Sequence, residues 1–168
     1  RHQARYTEAE PLYKRALSIY EKGFGYDHNY VAANLNNLAL LYTEQARYTE
    51  AEHLYKRALL IAEKNFASDH LEIANKLNNL ATLYHHQARY SEAEPLLKKA
   101  LLIAEKNLGP DHPKIATTLN NLANLYANKA RYTDAEPLYK RSLSIDEKIF
   151  GADHPTIATT LKNLATLY

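Results

Sequence analysis

The stretch DHPKIATTLNNLANLYANKAR, residues 111–131, decides the fold. Its apolar residues Ile115, Leu119, Leu122, Ala123 and Tyr126 follow the i, i+4, i+7, i+8, i+11 spacing of one helix face. Pro113 stands where a first-turn proline loses no intrahelical hydrogen bond. The stretch also recurs. Asn-Asn-Leu-Ala occurs at 36–39, 78–81 and 120–123, with Lys-Asn-Leu-Ala at 162–165. Ala-Arg-Tyr-Thr/Ser occurs at 4–7, 46–49, 88–91 and 130–133. The period is 42 residues, and the 168-residue chain is four periods long. Segments 47–88 and 89–130 are identical at 27 of 42 positions, which indicates recent duplication, gene conversion or deliberate repetition.

Each unit reads as two helices. Helix A follows Asp27, Asp69, Asp111 or Asp153, and Asp69 with Glu72 has capping-box spacing. Helix B starts at Thr49, where Thr49/Glu52 forms a second box, repeated as Thr7/Glu10, Ser91/Glu94 and Thr133/Glu136. Its apolar face is Ala51, Leu54, Tyr55, Ala58, Leu59 and Ala62, and Pro11, Pro95 and Pro137 fall in its first turn. It ends near Gly25, Gly109 and Gly151, which suit a left-handed cap, while Ala67 replaces that glycine in one unit. The expected order is a half-repeat (helix B) over 1–26, full repeats over 27–68, 69–110 and 111–152, and a half-repeat (helix A) over 153–168. The class is all-α, with about eight helices in antiparallel pairs. Neither end carries a polar capping helix, so the first helix B and the last helix A expose complementary faces that could join chains head to tail.

Composition narrows the function. The chain has no Cys, Met or Trp, 4 Gly and 14 Tyr, which excludes a disulfide scaffold, thiolate zinc and thiol catalysis. Without an initiator Met, Arg1 is not expected to be the native N-terminus. No apolar run reaches the roughly 18 residues of a membrane span, and there is no secretory start, so a cytoplasmic location is expected. A net charge of +2, from 21 Lys+Arg against 19 Asp+Glu, gives little counterion-release drive toward nucleic acid. There is no phosphate loop, nucleophile elbow or His-Glu-x-x-His, so neither an enzyme nor a cofactor is expected.

Leu35, Leu38, Ala39, Tyr42, Ala51, Tyr55 and Ala58 carry a family resemblance, repeated at Leu77, Leu80, Ala81, Tyr84, Ala93, Leu97 and Ala100. The third copy reads Leu119, Leu122, Ala123, Tyr126, Ala135, Tyr139 and Ser142. This order of large, large, small, aromatic, then small, aromatic, small resembles the tetratricopeptide repeat. The 42-residue unit, with Leu-Gly-Pro-Asp-His-Pro at 108–113 and Ala-Glu-Pro-Leu at 93–96 and 135–138, is similar to the kinesin light chain and nephrocystin type. The resemblance implies a right-handed α-solenoid whose helix A copies line a concave groove. The family usually places Gly at the A–B turn, where this chain has Ala4, Ala46, Ala88 and Ala130. A left-handed conformation there costs each alanine about 1 kcal/mol relative to Gly, so Ala46→Gly is expected to be neutral or stabilising.

On that resemblance the groove candidates are Asn36, Asn37 and Leu40; Asn75, Asn78, Asn79 and Thr82; Thr117, Asn120, Asn121 and Asn124; and Lys162, Asn163 and Thr166. An asparagine offers both donors and an acceptor, so a row of them could hold the main chain of an extended peptide. The competing reading is that some of them join neighbouring helices. Chaperone-binding relatives clamp a carboxylate with Lys and Arg, but the matching positions here hold Asn36, Asn37, Asn75, Asn79, Thr117 and Asn121. Kinesin light chains bind acidic peptides, and Lys76, Lys129 and Lys162 offer a thin version of that basic field.

Other constellations have structural readings. The Asp-His pairs at 27/28, 69/70, 111/112 and 153/154 lie one repeat apart and read as caps, with no metal expected. His85 and His86 are neighbours that face apart on a helix. Lys14, Lys56, Lys98 and Lys140 each follow a Glu by four residues, the order that favours pairing on a solvated face. Tyr42, Tyr84, Tyr126 and Tyr168 fall on the core stripe, and Tyr6, Tyr48, Tyr90 and Tyr132 at the A–B turn. The leading function is a scaffold binding a protein or peptide partner. The alternative is an engineered or amplified repeat that self-assembles without a dedicated ligand. Variation at Leu40, Thr82, Asn124 and Thr166, and at Ala33, Asn75, Thr117 and Thr159, favours the scaffold.

Overall fold

The computed structural model describes residues 2–168, with side chains described at Tyr6 and from Glu8 onward. Arg1 and the side chain of Thr7 lie outside the described residues. Among the described residues there are eight helices and no strand: α1 (His2–Phe24), α2 (Asn29–Glu44), α3 (Tyr48–Asn65), α4 (Leu71–His86), α5 (Tyr90–Leu108), α6 (Pro113–Asn128), α7 (Tyr132–Phe150) and α8 (Pro155–Ala165). The starts of α2, α4, α6 and α8 are one 42-residue period apart. Contacts divide the chain into two compact units, residues 1–83 and 84–168, with the division inside α4.

In the first unit α2 packs on both α1 and α3. Val31, Ala32 and Leu35 of α2 meet Ala58 and Ile61 of α3, with Leu17, Tyr20 and Leu54 around them. In the second unit α6 lies against α5 and α7, and α8 packs on α7. There Ile115, Ala116 and Leu119 meet Ala104 and Ile145. All the spaced residues of the three copies, from Leu35 to Ser142, are buried. Small residues such as Ala51, Ala93 and Ala135, each 0% exposed, let helix axes approach to about 8–10 Å. Ile61, Ile103 and Ile145 are also buried and widen the helix B stripe beside Ala62, whereas Leu54 and Leu59 are half-buried.

The helix starts correct the capping assignments. Helix A is capped by histidine, not aspartate. Nδ1 of His28, His70, His112 and His154 accepts the backbone N–H of Tyr30, Glu72, Lys114 and Thr156 at 3.1–3.3 Å. This frees the aspartates for longer reach: Asp27 pairs with Lys64, and Asp111 with Lys148 at 2.9 Å. The Thr/Ser–Glu boxes expected at Thr49, Ser91 and Thr133 do not form, and Thr7 of the fourth lies outside the described side chains. The N-caps of α3, α5 and α7 are Arg47, Arg89 and Arg131, without a side-chain cap bond, so Thr49, Ser91 and Thr133 already lie inside their helices. Pro95 and Pro137 consequently sit in the second turn, on exposed positions where one lost backbone bond is tolerated.

The A–B turns follow the expected strain. Ala46, Ala88 and Ala130 hold φ of 58°, 56° and 54°, and Arg47, Arg89 and Arg131 donate back to the carbonyls of Tyr42, Tyr84 and Tyr126 at 2.8 Å. Ala4 differs, because α1 runs through it. At the helix B exits, Gly109 and Gly151 adopt φ of 77° and 82° with ψ of 166° and 159°, a region that essentially only glycine enters. Where Ala67 replaces the glycine, α3 stops at Asn65 and Phe66 takes an extended conformation instead.

Candidate functional site

The exposed face of each helix A follows from the buried one. With Leu35, Leu38, Ala39 and Tyr42 turned inward, α2 exposes Ala33, Asn37 and Leu40 and leaves Asn36 half-buried. On α4, Thr82 is exposed and Asn75, Asn78 and Asn79 are half-buried. Several of these side chains are already engaged. Asn79 Nδ2 donates to Asn36 Oδ1 at 2.7 Å, joining α4 to α2. Asn78 Nδ2 donates to the Ala74 carbonyl, Thr82 Oγ1 to the Asn78 carbonyl, and Asn75 Nδ2 to Glu72.

The second unit uses its polar groups in the same way. Thr117 is exposed on α6, while Asn120, Asn121 and Asn124 are half-buried. Asn124 Oδ1 accepts from Tyr139 Oη at 2.5 Å and from Asn163 Nδ2 at 3.1 Å. Burial pushes the Tyr139 phenol up to about 12, so it remains a hydrogen-bond donor. Lys162 and Thr166 are exposed on α8, where Thr166 Oγ1 donates to the Asn163 carbonyl. Asn36, Asn79, Asn124 and Asn163 thus make bonds between neighbouring helix A copies, whereas Asn37, Leu40, Thr82, Thr117, Lys162 and Thr166 face solvent.

Two cavities open beside these residues. One, of about 500 Å³, lies between α1 and α2 and is lined by Leu12, Tyr13, Tyr20, Tyr30, Asn34 and Asn37 among others. The other, of about 370 Å³, is lined by α6, α7 and α8 residues including Thr117, Asn120, Ser142 and Asp146. Asn34 and Asn120 each line one of them, and their buried Oδ1 atoms, like that of Asn78, have no hydrogen-bond partner among the described residues. Asn34 and Asp146 are absent from the sequence-derived set. Aligning the copies would have found Asp146, which occupies the position of Ala62 and Ala104 on the apolar stripe.

The basic field is thinner than the lysine positions suggested. Lys76 is 8% exposed and pairs with Glu72 at 3.4 Å, and Lys129 pairs with Glu94 at 2.8 Å. The strongest electrostatics lie at the A–B turns. Glu94 takes Lys98, Lys129 and Arg131 and the Tyr126 hydroxyl, and Glu10 takes Lys14 and Arg47 and the Tyr42 hydroxyl. Hydrogen bonds from Lys129 and Lys98 hold Glu94 at about 2, and bonds from Arg47 and Lys14 do the same for Glu10. The guanidinium groups of Arg47 and Arg131 also lie over the Tyr42 and Tyr126 rings, 3.8 and 4.2 Å from the centroids. These tyrosine hydroxyls are therefore clamp members, not the solvated tips of packing groups. The four expected Glu–Lys pairs form at 2.6–2.8 Å. Burial, and secondarily His86, lowers the pKa of His85, whose Nε2 lies 2.7 Å from Asn128 Nδ2. Among the described residues no three His, Asp or Glu side chains converge on a metal-sized site, and no helix is long and apolar enough to cross a membrane.

A family model described as tetratricopeptide repeat matches residues 1–71, 72–148 and 114–168. No protein of curated function matches the chain. Among solved structures, BtubC (BKLC) from P. vanneervenii is similar with a TM-score of 0.89 at 25% identity, covering 99% of this chain. The chain spans 66% of that protein's length. Two structures of a P. anserina protein of nearly identical TPR-like repeats, one of them a single-residue variant, match at TM-scores of 0.82 and 0.83. Each is 24% identical and covers 99% of this chain, which spans 79% of theirs; at that identity the likeness concerns the fold alone.

Proposed function

This chain belongs to the tetratricopeptide-repeat family, and from that premise we propose that it is a scaffold of the kinesin-light-chain-like form, binding an extended peptide along the exposed faces of its helix A copies. Repeats of this family mediate protein–protein interaction. The observation that carries the peptide reading is that two of the three buried amide oxygens without a partner among the described residues, Asn34 Oδ1 and Asn120 Oδ1, belong to residues lining cavities beside exposed Asn37 and Thr117. A buried acceptor without a donor costs about 1–3 kcal/mol. A peptide N–H that meets either amide, once its side chain turns toward the groove, removes that cost without reading a peptide side chain. The chain then works by presentation, with no catalytic step and no cofactor. The test is capture from a random peptide library by the wild type and by Asn37→Arg/Thr82→Arg, which fills the groove from two exposed positions. Loss of capture with an unchanged thermal melt is expected; equal capture sinks the reading.

A further inference from the structure

Asp146 departs from the repeat in a way the scaffold does not explain. The equivalent residues Ala62 and Ala104 are 1% and 3% exposed core alanines. Asp146 is 6% exposed at the same place on α7, and it has no hydrogen-bond or ion-pair partner among the described residues. A buried carboxylate without a partner is costly. It lines the 370 Å³ cavity with Thr117, Asn120, Ser142, Thr156, Thr159 and Thr160, so it is the one charged group among hydroxyls and an amide. Asn120 Oδ1 is unpartnered there. Two hydroxyls in the lining spend their protons on helix carbonyls: Ser142 Oγ donates to Ala116 O at 2.9 Å, and Thr117 Oγ1 to Pro113 O at 3.1 Å. Their lone pairs remain available. Pro113 and Phe150 add apolar wall at the rim.

From this geometry we infer that the cavity between α6, α7 and α8 receives a cationic side chain, arginine or lysine, from the bound peptide, with the Asp146 carboxylate as its counter-ion. The inference rests on the peptide-scaffold reading and names the partner's chemistry. Guanidinium and ammonium groups are positively charged and donate only, and the Asp146 carboxylate is negatively charged and accepts only, so the two are complementary. Their methylene stems pack on apolar rims such as Pro113 and Phe150. A metal ion would need several oxyanions, and the cavity lining supplies one carboxylate. The titratable group that bears on Asp146 is His154, whose Nδ1 accepts the Thr156 N–H and so carries no proton to offer the carboxylate. Lys148, on the same helix, is engaged by Asp111 at 2.9 Å.

The probe is N-acetyl-arginine methylamide, compared with its neutral isostere N-acetyl-citrulline methylamide, each titrated into the ¹⁵N-labelled chain. The arginine probe is expected to shift the amide resonances of Thr117, Asn120 and Thr159 saturably. Binding should weaken by about tenfold or more with the citrulline probe and with Asp146→Ala. Asp146→Ala restores the residue of the two preceding copies, and Asp146→Asn keeps the shape without the charge, so either variant can carry the test. Equal binding of the two probes, retained binding by both variants, or no saturable shift each overturns the inference. The Asn37→Arg/Thr82→Arg variant leaves this cavity untouched. If it abolishes library capture while Asp146→Ala does not, the scaffold reading stands and the cation niche fails.

Discussion

Repeats 27–68 and 111–152 are built on one template and differ where function would be read. Both bury the same helix A stripe, Leu35, Leu38 and Tyr42 in one and Leu119, Leu122 and Tyr126 in the other. Both turn from helix A to helix B through a left-handed alanine and an arginine. The floor differs. The first has Ala58 and Ala62 where the second has Ser142 and Asp146, and it exposes Ala33 and Leu40 where the second presents Thr117 and Asn124. The exit differs too, with an extended Phe66 before Ala67 in one and a Gly151 at φ 82° in the other. The packing skeleton is constant, and polarity is introduced on the surfaces that the skeleton leaves open.

Exchanging the floor residues should separate the two repeats most. Ala62→Asp places a carboxylate in an apolar site, and a loss of about 3 kcal/mol in urea unfolding at neutral pH is expected. A loss near zero would mean that the first floor is as polar as the second. The reverse change, Asp146→Ala, should stabilise by about 1–2 kcal/mol. Burial raises the Asp146 carboxyl above its ordinary 3.8, so the folded state holds that proton more tightly than the unfolded chain. The stability this group leaves intact is full at pH below that ordinary value and declines as pH rises through the folded value. The gain from Asp146→Ala should therefore vanish in acid, and a pH-independent gain would assign it to packing. The smallest effects belong to the exits. Gly151→Ala should cost about 1–2 kcal/mol because its φ and ψ exclude a Cβ. Ala67→Gly should cost about 0.5 kcal/mol through unfolded-chain entropy alone. Equal thermal shifts for the two would erase the distinction between the exits.

Periodicity exposed the helices and their buried faces because local spacing dictates both. Ile115, Leu119 and Tyr126 cannot face water together on one helix. The caps were harder to read, since Asp69 and His70 are adjacent and only the turn geometry decides which one reaches the Glu72 N–H. Glu10 and Glu94 fit a capping box by spacing, yet their partners Arg47, Lys129 and Arg131 arrive from the next turn, 35–37 residues on. A pattern confined to four residues carries no trace of that competition. The groove was legible as a face but not residue by residue. Whether Asn36 or Asn37 is free depends on Asn79, which belongs to another repeat.

The lateral bonds have a kinetic consequence. Of the hydrogen bonds and ion pairs named above, none joins residues more than 43 apart, a separation reached by Asn79–Asn36 and Asn128–His85. Chain closure therefore never has to bring distant segments together, which favours rapid folding that spreads from any nucleus. The same spacing makes neighbouring copies interchangeable as partners. A segment of folding chain that skips one period finds a nearly equivalent dock, so slow, misregistered species are the expected hazard of so faithful a repeat.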